Sequence, residues 1–500
     1  MASSKKKGKK PRRVKARISR GLRDLMPHQL IARQRMIDAV RGVYERYGYA
    51  PLATPAVEYL DVLLGAEAGE EAKQSIFTVS NREEEALGLR FDLTVPLARV
   101  VAQHGDLPRP FRRYQVASVW RGDKPDKGRF REFTQFDIDA VGVQPGLADV
   151  EILAAMCDVF EALGVARYRV RFSNRLLLDA LLRLAGVDEA RASDVFRVLD
   201  KLDKIGPEKV RLELTAGYVD ASGDPIRGVG LDDAQVDTIE RFLAIRDERR
   251  EAVLAGLREL FRLGPESDTE SDAPDDAVPG AAAAVAQVAT MSRQLARLGY
   301  GDDKIALDLS IARGLAYYTG AVFEAILLDA PQFGSVFGGG RYDGLVARFS
   351  GQAVPAVGAS VGVDRLLAAL EHLDAIDTPA TTVEVLVTRM DAGLEDAYLD
   401  LTFELRRAGI HTELWLGGGR NVGKQLKYAD RCQVPIALLM GPDEADQGIV
   451  TLKDMDAGRR QSETIEDRDA WLAARPGQRE VPRDQVVATV RALLETIAAG

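Results

Sequence analysis

Apolar positions along this chain change period from region to region, and each change marks a new kind of element. Pro27 suits the first turn of a helix, where its missing N–H is not needed. Ile37, Val40, Val43, Tyr44 and Tyr47 then recur at helical spacing until Gly48 stops the run. Pro51 and Pro55 bracket an extended segment, since proline fixes φ and supplies no ladder donor. From Phe91 to Val143 short β-like runs alternate with turns, as in an antiparallel sheet. Residues 150–163 are expected to form a helix, and 176–259 a charged, helix-rich region with a turn at 223–225. The β-like pattern returns from Ile305, through 318–328 and 356–363, and a helix is expected over 364–372.

Beyond a linker-like stretch at 378–382 the pattern becomes strand, helix, strand, helix, strand: 383–388, 394–408, 410–416, 421–431 and 435–441. Such βαβ alternation predicts a small, separate α/β domain with a parallel sheet, closed by an amphipathic helix at 485–497. Residues 265–279 hold six acids, three prolines and no aromatic residue, which marks a connector or loop.

Composition narrows the class. A chain of 500 residues corresponds to about three or four domains. With 46% apolar and 29% charged residues it is neither a disordered chain nor a small disulfide scaffold. No apolar stretch reaches the ~18 residues of a membrane span, and the longest soft run is 281–289. Cys157 and Cys432 are far apart and cannot build a metal cluster alone, so a reduced, cytoplasmic compartment is the simplest expectation. His28, His104, His372 and His411 show no zinc spacing, which argues against metal-hydroxide and histidine-triad chemistry.

Charge is unevenly spread. Residues 1–20 carry ten Lys or Arg and no acid, and without them the net charge of −9 becomes −19. The arm suits long-range attraction to a phosphate backbone, or a solvated tail. It lacks the 7–15-residue apolar core of a secretory signal. On the acidic remainder, any nucleic-acid surface must be a local patch.

Gly418-Gly-Arg-Asn-Val-Gly423-Lys424 matches seven positions of a phosphate-binding loop, but the eighth is Gln425, where a magnesium-ligating Ser or Thr is required. The expected alternative is a glycine-rich connection beside a basic helix, with Lys424 and Lys427 able to touch RNA.

Three other segments carry more chemistry. Trp120-Arg-Gly-Asp-Lys-Pro-Asp-Lys-Gly-Arg-Phe-Arg-Glu-Phe133, continuing to Asp139, is two extended runs around a turn at 124–128. Strand alternation puts Arg129, Arg131, Phe133, Gln135, Asp137 and Asp139 on one face. Cations, an aromatic plate, an amide and carboxylates on one surface suit a ligand with phosphate, a flat ring and a cationic group. Ser310–Gly320 and Phe337–Gly344 place glycines around Arg313, Tyr317, Tyr318, Arg341 and Tyr342, so that backbone can approach a ligand closely. Residues 358–365 run from a strand into a helix that begins near Arg365.

In this order the segments resemble the signature motifs of class II aminoacyl-tRNA synthetases, and specifically the histidyl-tRNA synthetase family. The matching stretches are Leu-Arg-x-Asp-Leu-Thr-x-Pro at 89–96, Gly-Arg-x-Arg-Glu-Phe-x-Gln at 128–135, Arg-Gly-Leu-x-Tyr-Tyr at 313–318 and Gly-Gly-Arg-Tyr-Asp-Gly-Leu at 339–345. The resemblance spans about 18–500. It implies an α+β fold: a catalytic domain on an antiparallel sheet (18–174 and 296–377), a helical insertion (175–295) that reaches over the tRNA acceptor arm, and a C-terminal α/β anticodon-binding domain (378–500), with a basic arm (1–17) outside it.

It also implies a function, the ligation of L-histidine to tRNA(His) through histidyl-adenylate, with ATP as substrate, Mg2+ alongside it, and a homodimer whose interface includes Pro55. Arg121 and Arg365 match the class-wide ATP arginines, Asp123 the acid near the adenine amino group, Phe133 the adenine plate, and Arg313 the arginine at the α-phosphate; Arg129 joins the ATP side. Asp92, Thr94 and Gln135 match the positions that hold the α-amino group. Asp139 and Tyr318 match those flanking the imidazole, with Tyr317 beside them and Tyr342 closing the pocket. Ala316 stands where many members have Asp, and Asp92 and Asp139 stand where one branch uses Glu, so the chain looks closer to eukaryotic members. Two other readings follow from the same family: a non-catalytic regulatory paralogue, or a synthetase for another amino acid of the subclass. The first typically lacks the 313–318 motif or the C-terminal domain, and the tyrosines with Arg313 argue against the second.

Overall fold

The structure, a computed structural model, describes residues 14–65, 75–124, 130–220, 223–264, 274, 277–311, 318–376, 379–455, 457 and 477–499. The basic arm through residue 13, most of the acidic connector, and Arg129, Arg313, Ala316 and Tyr317 lie outside them. Two units are distinguished, 33–376 with 14–24, and 377–500 with 25–32.

In the first unit, alternating side chains build one large sheet. Its strands are Ala50–Pro51 (β1), Phe111–Trp120 (β2), Glu132–Val141 (β3), Tyr168–Asn174 (β4), Ile305–Leu307 (β5), Ala321–Leu327 (β6), Ser335–Arg341 (β7) and Ala356–Gly362 (β8). They lie in the order β1-β2-β3-β8-β7-β6-β4-β5. Every pair is antiparallel except the edge pairs β1/β2 and β4/β5. On β3 the period of two separates the faces: Phe136 and Ile138 are fully buried, with Phe136 edge-on to Tyr44 of the helix Pro27–Arg46. The helix Leu147–Ala162 buries Ile152, Leu153, Met156 and Phe160 and packs across β4, β6, β7 and β8.

One expectation changes here. The stretch read as β-runs from Phe91 contains a helix, Thr94–Gln103. Val95, Ala98 and Val101 are buried at helical spacing, and Pro96 falls in the first turn, where its missing N–H costs nothing. β-branched residues and a proline hid this element.

Helices Arg175–Leu184, Glu189–Leu199, Leu202–Leu214, Asp233–Leu243, Arg250–Leu260 and Ala281–Arg297 follow β4. Their starts are written in the sequence: Asn174 and Asp188 accept from Leu176 and Ala190 amides, and Asp232 with Gln235 forms a capping box. A short hairpin, Gly217–Val219 with Pro225–Arg227, flanks the expected turn.

The second unit holds Val385–Val387 (β9), Thr412–Leu414 (β10), Ile436–Leu439 (β11), Ile449–Asp454 (β12) and Gln478–Pro482 (β13), ordered β10-β9-β11-β12-β13. The first three are parallel, as the βαβ alternation predicts. β12 and β13 add antiparallel, which makes the sheet mixed rather than parallel. The strands beyond Gly441 had no pattern strong enough to announce them. Tyr398, Leu401, Leu405, Ile436, Leu438 and Val490 form its core with helices Glu395–Arg407 and Val486–Ala499.

Candidate active site

The register of three strands assembles the site. β2 pairs Arg113 with Asp139 and Gln115 with Asp137, while β8 sets Gly358 opposite Asp139, Ser360 opposite Asp137 and Gly362 opposite Gln135. Gln135, Asp137 and Asp139 therefore point to one face, beside positions where the neighbouring strand offers little or no side chain. At Gly358 this is obligatory: a Cβ would sit 2.0 Å from Asp139 Oδ1. At Gly340 a Cβ would lie 2.7 Å from the Tyr318 ring.

Above this face lies a cavity of about 580 Å³. It brings together Asp92, Thr94, Arg121, Asp123, Phe133, Gln135, Asp139, Tyr318, Tyr342 and Arg365 from segments far apart in the chain. Asp137, Glu324, Ser360 and Asp364 also line it. Of the residues expected there, Arg129, Arg313 and Tyr317 are outside the described residues.

One end is cationic and half-open. The Arg121 guanidinium sits 5.1 Å from the Phe133 ring centroid, and its Nε donates to the Phe91 carbonyl at 3.1 Å. Arg365 Nη1 donates to the Ser335 carbonyl at 2.7 Å. Asp364, next to it, accepts from the Thr134 amide at 2.6 Å and pairs with Arg23 at 2.8 Å. Asp123 is exposed at the rim, its carbonyl accepting from Arg131 Nε at 3.1 Å. Arg131 does not line the cavity, although alternation assigned it to that face: it lies just before β3 begins, where the period of two no longer holds.

The other end is closed and acidic. Asp137, Asp139 and Tyr342 are at most 3% exposed. The Tyr342 hydroxyl donates to Asp139. Gln135 Nε2 donates to Ser360 Oγ at 2.9 Å, and Asp92 Oδ1 accepts from the Val95 amide at 3.0 Å. Gln135 Oε1, Asp137 Oδ1 and Asp139 Oδ2 are buried and accept no hydrogen bond. Burial pushes Asp137 up to about 7 against the pull of Arg113, with Asp139 adding to the rise. Asp139 and Asp92 are raised by burial too, opposed in Asp139 by Arg113 and the Tyr342 hydroxyl. Burial, then Asp137 and Asp139, raises the Tyr318 phenol. Gln135 Oε1 and Asp137 Oδ1 are spare acceptors and Asp139 Oδ2 is held only by its ion pair with Arg113, so this end calls for a ligand with N–H donors.

Two side chains depart from the sequence reading. Arg341, inside the Gly-Gly-Arg-Tyr motif, turns away from the cavity and grips Asp149 with Nε and Nη2, both at 3.0 Å. Arg113, not singled out before, is fully buried with Nη2 2.8 Å from Asp139 Oδ2 and 3.8 Å from Asp137 Oδ2. In the second unit, Gln425 settles the phosphate-loop question. It is fully buried, donates to the Arg389 carbonyl at 2.7 Å and accepts from the Arg389 amide at 2.8 Å. It bolts the end of β9, and Asn421 caps the helix Val422–Arg431 through the Lys424 amide.

A family model described as Histidyl-tRNA synthetase matches residues 21–366, and one described as Anticodon binding domain matches 382–493. The chain belongs to the histidyl-tRNA synthetase family. A histidine–tRNA ligase of Rhizobium leguminosarum bv. trifolii is 42% identical over 98% of this chain and 97% of its own length. Another, from Cereibacter sphaeroides, is 42% identical over 98% of this chain and 99% of its own. A crystal structure of histidyl-tRNA synthetase from Nostoc sp. PCC 7120 superposes with a TM-score of 0.78 at 30% identity, covering 96% of this chain and 100% of that one. Membership of the histidyl-tRNA synthetase family accounts for the antiparallel sheet, the connected strand-to-helix motif at Arg365 and the second, α/β unit.

Proposed function

We propose that the chain is a histidine–tRNA ligase that activates L-histidine with ATP and transfers it to the 3′ end of tRNA(His). The observation that carries this reading is the single cavity with Arg121, Phe133 and Arg365 at one end and Asp139, Tyr318 and Tyr342 at the other. In the first step a histidine carboxylate oxygen attacks the α-phosphorus of ATP, the bond to the bridging oxygen breaks, and pyrophosphate leaves. In the second, the terminal ribose hydroxyl of the tRNA attacks the carbonyl and AMP leaves. The first nucleophile is already anionic, so positioning and charge stabilisation do most of the catalysis. That agrees with a described wall that holds arginines and no Cys or His, and whose serines are engaged structurally: Ser360 Oγ accepts from Gln135 at 2.9 Å and Ser335 Oγ donates to the Phe337 carbonyl at 2.9 Å.

Arg121 and Arg365 hold the phosphates, Arg313 meets the α-phosphate, and Phe133, Asp123 and Arg129 serve the adenosine side. Asp92, Thr94 and Gln135 take the α-amino group, and Asp139, Tyr317, Tyr318 and Tyr342 the imidazole. Mg2+ accompanies the triphosphate as part of the ATP substrate. No described helix is long and apolar enough to cross a membrane, and both cysteines are free thiols, which suits work in the cytoplasm. The functional form is a homodimer, with Pro55 near its interface, and the second unit reads the anticodon.

Charging tests the whole scheme. With ATP, Mg2+ and tRNA(His), radiolabelled histidine should become acid-precipitable, and the label should be released by mild base, as an ester is. Label that stays free, with the chain folded, would leave the regulatory-paralogue reading.

A further inference from the structure

At the closed end of the cavity two buried carboxylates share one buried guanidinium. Burying charges costs several kcal/mol per ion, and apolar residues of similar volume would serve stability at least as well. The arrangement is also incomplete as a structural pair: Arg113 Nε and Asp137 Oδ1 have no hydrogen-bond partner, and Asp139 Oδ2 has its ion pair with Arg113 at 2.8 Å without an aligned hydrogen bond. Arg113 has a second attachment. Its Nη2 donates at 3.0 Å to the carbonyl of Leu93, the residue between Asp92 and Thr94. One side chain therefore ties the strand that carries Asp139 to the segment that carries Asp92 and Thr94.

Resting on the ligase reading above, we propose that Arg113 is the positioning residue for histidine selection: it keeps Asp139 ionised and aimed into the cavity, and locks the imidazole end to the α-amino end. An imidazole N–H needs an acceptor. A protonated Asp139 would lose its charge and turn one oxygen into a donor, leaving a weaker, neutral acceptor for the imidazole N–H. Arg113 sits 2.8 Å from Asp139 but 3.8 Å from Asp137, so when one proton must be held by the pair, it falls to Asp137. The direction of the Asp137 shift, upward and driven by burial, agrees with that partition. Besides these two, Asp139 faces the Tyr342 hydroxyl, just beyond β7, and, more remotely, Tyr318, Tyr44 and Tyr49. None of these others is a cation.

The test is the pH profile of kcat/KM for histidine in histidine-dependent ATP–pyrophosphate exchange by the full chain. Replacing Arg113 by Met (Arg113→Met) should move the acid limb upward by about one pH unit or more, raise KM for histidine, and leave KM for ATP within about threefold. Arg113→Lys, which restores the charge, should bring the limb back to the wild-type position. Asp137→Asn replaces a carboxyl that is already protonated where Asp139 titrates, so its limb should stay at the wild-type position. The substrate's own imidazole titrates identically in every protein and cancels in the differences.

A purely structural arginine would change kcat and both KM values without moving the limb. Limbs that coincide in wild type and Arg113→Met overturn the proposal. If that variant does not fold, a limb displaced in Asp137→Asn, or in Arg113→Lys, overturns it instead. A wild type without any histidine-dependent exchange defeats the ligase reading itself, whereas a limb in Arg113→Met that coincides with that of an active wild type defeats only the role given to Arg113.

Discussion

Two arginines of the same sheet are almost completely buried, Arg113 on β2 and Arg341 on β7, and they are built differently. Arg341 is saturated. It holds Asp149 through two nitrogens at 3.0 Å and the carbonyls of Val143 and Gln144 at 2.9 and 3.1 Å. Arg113 leaves its own Nε and Asp137 Oδ1 without hydrogen bonds, and meets Asp139 Oδ2 at 2.8 Å as an ion pair without an aligned hydrogen bond. Equal burial with unequal satisfaction separates a residue that completes the fold from one that prepares a site. A buried charge with all its partners needs nothing more, while spare acceptors beside a buried charge are a cost that a ligand removes.

Breaking each arrangement should separate them further. The largest effect is expected at Arg341. Arg341→Met strands Asp149, 1% exposed, without its counter-ion and should cost about 3–5 kcal/mol of stability, read as a lower denaturant midpoint. A loss under ~1 kcal/mol would contradict the structural role. Next comes Asp139→Asn, which should lower kcat/KM for histidine by about 10–150-fold, the worth of one hydrogen bond to a charged group, with KM for ATP unchanged.

A smaller effect is expected in the pH dependence of stability. The folded value for Asp137, about 7, lies above its ordinary 3.8, so between those limits the folded chain holds a proton that the unfolded chain has released. Stability from this group is therefore greatest below about pH 4 and declines as pH rises to about 7. Melting temperatures of wild type minus Asp137→Asn should fall across that window, and a difference that rises would reverse the assignment. The smallest effect belongs to the loop beside Gln425: Lys424→Ala should leave KM for ATP unaltered, since the Gln425 amide is already spent on Arg389.

Much of the site was legible because strand alternation and hairpin symmetry are short-range rules. The face bearing Phe133, Gln135, Asp137 and Asp139 followed from the period of two. The register of that hairpin's strands also pairs Arg113 with Asp139, so the missed arginine had a signal in the alternation. Arg341 had none, since its partner Asp149 is 192 positions away and nothing local says which way a side chain in a glycine-rich strand will turn. The helix Thr94–Gln103 was hidden by valines and Pro96, where tertiary burial of Val95, Ala98 and Val101 overrides propensity. β12 and β13 escaped because two antiparallel strands added to a parallel core follow no βαβ period. The strand–helix alternation ahead of them was strong enough to mark the α/β unit.

The central claim is that one cavity joins a phosphate-gripping end to an acidic niche that accepts only the histidine side chain. ATP–pyrophosphate exchange measured with each of the twenty amino acids tests it most directly. The account expects exchange with histidine and background with the other nineteen, because only the imidazole N–H gives the ionised Asp139 a hydrogen bond from the ligand. Exchange with a different amino acid at a comparable rate, or with none, would contradict it.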